Sequence, residues 1–86
     1  MSYGLIILPS AQKELKALPK HVLMQVDARI IALKDDPRPR GVKALKGRHK
    51  GFYRIRSGNY RVMYRIDDAA PCVTITKVSD RKDAYD

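Results

Sequence analysis

Tyr53-Arg54-Ile55-Arg56-Ser57-Gly58-Asn59-Tyr60-Arg61-Val62-Met63-Tyr64-Arg65-Ile66 consists of two short runs of alternating apolar and basic residues around a Ser-Gly-Asn turn. Period-two alternation on both sides of a Gly/Asn turn predicts a β-hairpin. Successive side chains of a strand point to opposite faces, so an even-length loop fixes which parities meet. With Gly58-Asn59 as the loop, Arg56 stands opposite Arg61, Arg54 opposite Met63, Ile55 opposite Val62, and Tyr53 opposite Tyr64. With Ser57-Gly58 as the loop, Arg54 slides to face Arg61, yet every residue keeps its face. One face is therefore aromatic and aliphatic, and the other carries Arg54, Arg56, Arg61 and Arg65.

Like charges directly opposite on a sheet cost roughly 0.2–1 kcal/mol per pair, so a partner outside the fold must reward them. Arginine forks grip phosphate in bidentate fashion. A solvated basic face is the plain alternative, but clustered arginines without local acids fit a nucleic-acid backbone better.

The charge balance of the whole chain points the same way. Eighty-six residues make one small domain with a modest core, and 18 Lys+Arg against 9 Asp+Glu give a net charge of +9. No acidic residue lies between Asp36 and Asp67, where Arg38, Arg40, Lys43, Lys46, Arg48, Lys50 and the four hairpin arginines all fall. That is the footprint of a polyanion partner, with nucleic acid ahead of a membrane because the block is not an amphipathic helix. The single Cys72 excludes an internal disulfide, and with only His21 and His49 beside it no zinc-ligand set is legible. The apolar run Gly4–Leu8 is too short and lacks the basic lead-in of a signal peptide, and no stretch approaches transmembrane length. A cytoplasmic protein is expected.

Outward from the hairpin, Tyr3–Leu8 predicts a buried strand ended by Pro9. Ser10 is the candidate N-cap of a helix from Ala11 to Leu18, and Pro19 opens a second helix over about His21–Lys34. Leu23, Val26, Ile30 and Leu33 form the apolar stripe of that second helix, widened by Val22 and Ile31, with Met24 filling a gap in the core. His21 is read as a surface residue at the helix start. Arg38–Lys50 is a Pro- and Gly-bearing loop, expected to be mobile and to dock on a backbone through Lys43, Lys46, Arg48 and Lys50. Beyond the hairpin, Asp67–Pro71 is a turn and Cys72–Val78 a further strand in which Cys72 is a small buried side chain. Ser79–Asp86 has helical composition. The order predicts an α+β fold: an N-terminal strand, a two-helix hairpin on a mainly antiparallel twisted sheet, a C-terminal three-strand meander, and a short terminal helix or tail.

No phosphate-binding loop, dinucleotide fingerprint, metal spacing or nucleophile triad is present. What remains is pure binding, or cleavage of RNA by its own 2′-hydroxyl, which needs in-line positioning, phosphorane stabilisation and proton transfer at both ends. Arginine supplies the first two and not the third, since a guanidinium stays protonated in proteins. Tyr85, Tyr60, His49 or a loop lysine would have to move protons, and Tyr85 has a second use in stacking on a base.

The hairpin, with Leu45-Lys46-Gly47 before it and Val78-Ser79-Asp80-Arg81-Lys82-Asp83-Ala84-Tyr85 after it, resembles the RelE branch of the RelE/ParE toxin superfamily over essentially the whole chain. The resemblance implies one toxin domain over residues 1–86 that enters the ribosomal A site and cuts mRNA there without metal or cofactor. Its implied partners are a cognate antitoxin, the ribosome and mRNA, and operator DNA only through the antitoxin complex. On matching positions, Arg61 is the arginine at the scissile phosphate, Arg81 the one that stabilises the reacting phosphate or leaving group, and Tyr85 the C-terminal tyrosine that stacks on or activates the nucleotide. Arg54 stands where well-studied ribonuclease members carry a lysine proposed as general base, and Phe52 where they carry a second lysine. Arg56, Arg65 and the loop cations would hold RNA. The related ParE branch blocks DNA gyrase and cuts no RNA, so a gyrase inhibitor and a catalytically weak RNA-binding toxin are the alternatives.

Overall fold

The computed structural model describes residues 2–80. In chain order its elements are β1 (Gly4–Ile7), α1 (Pro9–Lys16), α2 (Lys20–Ala32), β2 (Lys43–Ala44), a 3-10 turn (Gly47–His49), β3 (Phe52–Ser57), β4 (Tyr60–Asp67) and β5 (Cys72–Asp80). The strands form a five-stranded sheet in the order β1-β5-β4-β3-β2, in which β1 runs parallel to β5 and all other neighbours are antiparallel.

The hairpin is built as its parity dictates. Gly58-Asn59 is the loop, and Arg56 pairs with Arg61, Arg54 with Met63, Ile55 with Val62 and Tyr53 with Tyr64. Gly58 has φ +59° and Asn59 does not share the positive φ, the pattern of a type II′ turn whose first central position favours glycine. Ile55, Val62 and Tyr64 are buried on the helix side, where Ala11 and Leu15 of α1 and Val26 and Ile30 of α2 cover them together with Val73, Ile75 and Val78. Tyr64 is fully buried, stacks on Tyr53 at 5.9 Å, and donates its hydroxyl to the carbonyl of Pro37 at 2.8 Å.

Several sequence expectations are corrected. β1 is an edge strand only half covered, with Ile6 52% exposed, because β5 alone flanks it. Helix α1 starts at Pro9, so Leu8 and not Ser10 is the N-cap, and it makes no side-chain cap bond. Proline lacks the N–H that a cap would serve and suits the first helical position. Helix α2 ends at Ala32, two residues short of expectation, where the N–H groups of Asp35 and Asp36 turn back onto the Ala32 carbonyl. Met24 is 65% and Ile31 50% exposed, so neither belongs to the core: α2 lies on the sheet by one side, and these two residues sit on the other. The Arg38–Lys50 segment is more than a loop, since it contains β2, the 3-10 turn and a buried Leu45 whose N–H bonds to the Phe52 carbonyl. Cys72 is only partly buried.

β5 runs to Asp80 and contains a bulge. Met63 pairs with Lys77 but Tyr64 pairs with Ile75, leaving Thr76 as the extra residue, its hydroxyl bonded to the Met63 carbonyl at 3.1 Å. The insertion shifts the parity, so Val73 and Ile75 share the core with Val78, three residues on. Beyond Ile75 no β1 residue remains to pair with β5, and Glu14 of α1 accepts the Val78 N–H at 2.7 Å instead.

Arg38, first of the basic block, is engaged by an acid of its own chain at the surface. Its fork holds Asp68 at 3.0 and 3.2 Å, Tyr3 donates to the same carboxylate at 2.6 Å, and the guanidinium lies 5.3 Å from the Tyr53 ring centroid. The bond from Arg38, then that from Tyr3, holds the Asp68 carboxyl below its ordinary range. A carboxylate lowered in the fold stabilises it above the unfolded value of about 3.9, and that contribution disappears as pH falls through the lowered value. The melting temperature of Asp68→Asn should therefore lie below that of the parent chain at neutral pH, and the two should converge below about pH 4, as followed by circular dichroism. A gap that persists at low pH would assign the effect to something other than this carboxylate.

Candidate nucleic-acid interface

On the face of the sheet turned away from the helices, register arranges the side chains in rows. Arg56, Arg61 and Ser79 form one row, Lys43, Arg54, Met63 and Lys77 the next, and Phe52, Arg65, Thr74 and Ile6 a third. Rows are two residues apart along the strands, about 7 Å. Lys43, Arg56 and Arg65 are exposed and Arg61 is half-buried. Arg54 is only 6% exposed, flanked in register by Lys43 and Met63. It is thus a buried guanidinium in the floor of the site and not the open phosphate grip that alternation alone suggests.

Lys46, Arg48 and Lys50 are exposed around the 3-10 turn that leads into Phe52. They stand at the Phe52 end of the sheet, about 13 Å along the strand from the Arg56–Arg61 pair. The sequence-predicted cations therefore divide into a face and a rim. Arg81 and Tyr85 lie outside the described residues.

Tyr60 is not on this face. It pairs with Ser57 and Asp80 and packs against the core, so the parity of β4 removes it from any proton transfer on the basic side. His49 is half-buried in the 3-10 turn at the rim. Two further residues of the face escape the sequence reading. The bulge at Thr76 puts Lys77 in register with Met63 in the second row, although its ammonium lies 3.9 Å from Glu14 of α1, and β5 extends far enough to add Ser79. Phe52 has a use of its own: the Arg65 guanidinium lies 5.7 Å from its ring centroid, so an aromatic platform holds the arginine in place.

Chemically, the array offers fixed positive charge and planar donors at two-strand spacing, suited to a chain of phosphates. Among the described residues, no group of three His, Cys, Asp or Glu side chains is placed to hold a metal ion, and no helix is long and apolar enough to cross a membrane.

Comparison with known proteins defines the class. The family model of the ParE toxin of type II toxin–antitoxin systems matches residues 5–85, and the chain belongs to the RelE/ParE toxin superfamily. Within it the chain is similar to toxin RelG of Mycobacterium tuberculosis, 34% identical over 86 residues that cover 99% of this chain and 98% of the relative. A chain of the M. tuberculosis toxin–antitoxin complex RelBE2 superposes with a TM-score of 0.85 at 32% identity, covering 94% of this chain and 100% of that one. The archaeal RelE–RelB complex from Pyrococcus horikoshii gives 0.83 at 31% identity, covering 98% and 100%.

Proposed function

We infer that the chain is a ribosome-dependent endoribonuclease of the RelE type, acting in the cytoplasm on mRNA in the ribosomal A site and neutralised by a cognate antitoxin. The observation that carries this reading is the Arg56–Arg61 pair, two like charges placed directly opposite on an exposed sheet face beside Lys43, Arg54 and Arg65. In the reaction the substrate 2′-oxygen bonds to phosphorus, the P–O5′ bond breaks, the 2′-hydroxyl loses its proton, and the leaving 5′-oxygen gains one. Arg61 and Arg81 stabilise the charge on the phosphorane, Arg56, Arg65, Lys43, Lys46, Arg48 and Lys50 hold the backbone, and Tyr85 stacks on the nucleotide. Arg54 supplies charge from the floor and is not the base, since its guanidinium keeps its proton. Operator DNA is reached only through the antitoxin complex.

A second reading is a ParE-like inhibitor of DNA gyrase, favoured by the family model that matches and by the residues Phe52 and Arg54 in place of lysines. Mapping of mRNA 5′ ends after induction separates the two. Breaks phased with codons in translated messages are expected. Intact mRNA together with DNA damage would give the protein to the gyrase reading.

A further inference from the structure

The outer face of the sheet changes character along its strands. Its first two rows are cationic, with Arg56 and Arg61 in one and Lys43 and Arg54 in the next. The third row, Phe52, Arg65, Thr74 and Ile6, has one charge among four residues. That charge is carried differently from the others. The Arg65 guanidinium lies over the Phe52 ring, 5.7 Å from its centroid, within the roughly 6 Å reach of a cation–π contact. Phe52 is half-buried and Arg65 exposed, so the ring is the lower layer of the pair and the guanidinium the upper one. A planar cation held on an aromatic ring turns its other face outward.

On the side of Arg65 away from the Arg56–Arg61 pair is a hollow of about 450 Å³, lined by Arg65, Ile66, Asp67, Asp68 and Thr74. Both of its carboxylates are fixed. Asp67 accepts the N–H groups of Ala69 and Ala70 at 3.0 and 3.2 Å, and Asp68 is held by the Arg38 fork and by Tyr3. Two carboxylates repel a phosphate or an acidic peptide, and they accept N–H donors. A neutral, planar group with N–H donors on its edge suits the guanidinium face and the carboxylates together. A nucleobase is such a group, and single-stranded RNA is read by stacking its bases on aromatic rings and on guanidinium planes.

We propose that the Phe52–Arg65 pair and the hollow beside it form a base-stacking subsite for the mRNA, seating one unpaired nucleotide that flanks the cleavage point. The inference rests on the reading above that the chain cuts mRNA. Two rows separate this subsite from the Arg56–Arg61 pair, about 13 Å along the strands, so the stacked base lies apart from the scissile phosphate. Phosphates then run over the cationic rows, and a base turns in at the third. Arg65 keeps its edge for the backbone, since a guanidinium donates from its edge while its face stacks. Phe52 is a positioning residue that acts through Arg65.

The test uses the full chain on defined ribosome complexes, with messages that are natural throughout or carry one abasic nucleotide at a chosen position near the cleavage point. An abasic nucleotide keeps the backbone charge and removes the stack. With the parent chain, one position should show a rate loss of roughly 5–150-fold, the usual worth of one stacked base. Phe52→Leu keeps apolar bulk without the aromatic face, and Arg65→Lys keeps charge without the plane. Each should cut the natural message more slowly and abolish the difference between natural and abasic messages at that position, with the penalties elsewhere unchanged. Arg65→Lys, at an exposed side chain, keeps the test decisive if Phe52→Leu fails to fold. A merely structural role would slow natural and abasic messages alike, and that result overturns the subsite. Penalties in both variants that match the parent's at every position overturn it as well. A parent chain that cuts all abasic messages at the natural rate overturns it and leaves the proposed function standing. A parent chain that cuts no ribosome-bound message overturns this inference together with the reading on which it rests.

Discussion

Arg61→Ala should slow cleavage of ribosome-bound mRNA by about 10²–10³-fold, the usual loss when one fixed donor to a developing oxyanion is removed. The fold should survive, because Arg61 is half-buried on the outer face of β4 and one of its two cross-strand neighbours is another cation, Arg56. Removing one of two opposed like charges relieves roughly 0.2–1 kcal/mol, which offsets much of the lost packing. Arg61→Lys should fall between parent and alanine, since an ammonium keeps the point charge but not the planar fork. Primer extension on a defined ribosome complex gives the rates, and thermal melting confirms folding. Full cleavage by a folded Arg61→Ala protein would move the reaction centre elsewhere on the sheet. Loss of toxicity with no change in RNA would transfer the same residue to the gyrase reading.

Tyr64→Ala should unfold the protein or nearly so. Truncation of a large buried ring costs about 3–5 kcal/mol, and small domains seldom hold more than about 5 kcal/mol in reserve. Tyr64 is 0% exposed, anchors the stack with Tyr53, and holds the Pro37 carbonyl that begins the segment leading to β2. Tyr64→Phe isolates the second contribution: the ring stays, the Pro37 carbonyl loses its donor, and a cost of about 1–3 kcal/mol is expected in urea titrations. Burial also pushes the Tyr64 hydroxyl above its ordinary value. A group raised in the fold stabilises it below the unfolded value, so parent stability should fall as pH rises beyond about 10. Tyr64→Phe should lack that part of the alkaline loss. A Tyr64→Phe protein as stable as the parent at pH 7 would remove Pro37 from the account.

The central hairpin was legible because parity is indifferent to turn type, and the faces of Ile55, Val62, Tyr64, Arg56, Arg61 and Arg65 follow from it. Three features were missed for separate physical reasons. The bulge at Thr76 shifts alternation within β5, so strict period two counted from Val73 and Ile75 does not reach the observed faces of Lys77 and Val78. β2 is two residues long and has no periodicity to detect. Met24 and Ile31 were misread through their apolar character, since at about 100° per residue both fall well round the helix from the Leu23, Val26, Ile30 and Leu33 stripe. Alternation names the face of Arg54 but not its depth, since Arg65 on the same face, with strands on both sides, is exposed while Arg54 is buried.

The pairing of β1 with β5 governs the order in which the molecule can be made. Gly4 meets Cys72 and Ile7 meets Ile75, so the first strand has no sheet to join until β5 has left the ribosome. Contacts this distant in sequence form late, whereas the β3–β4 hairpin is local and closes early. The Arg56–Arg61 pair needs only its own local hairpin, so it can form while β1 is still unpaired, and the sheet closes once β5 is in place to receive β1.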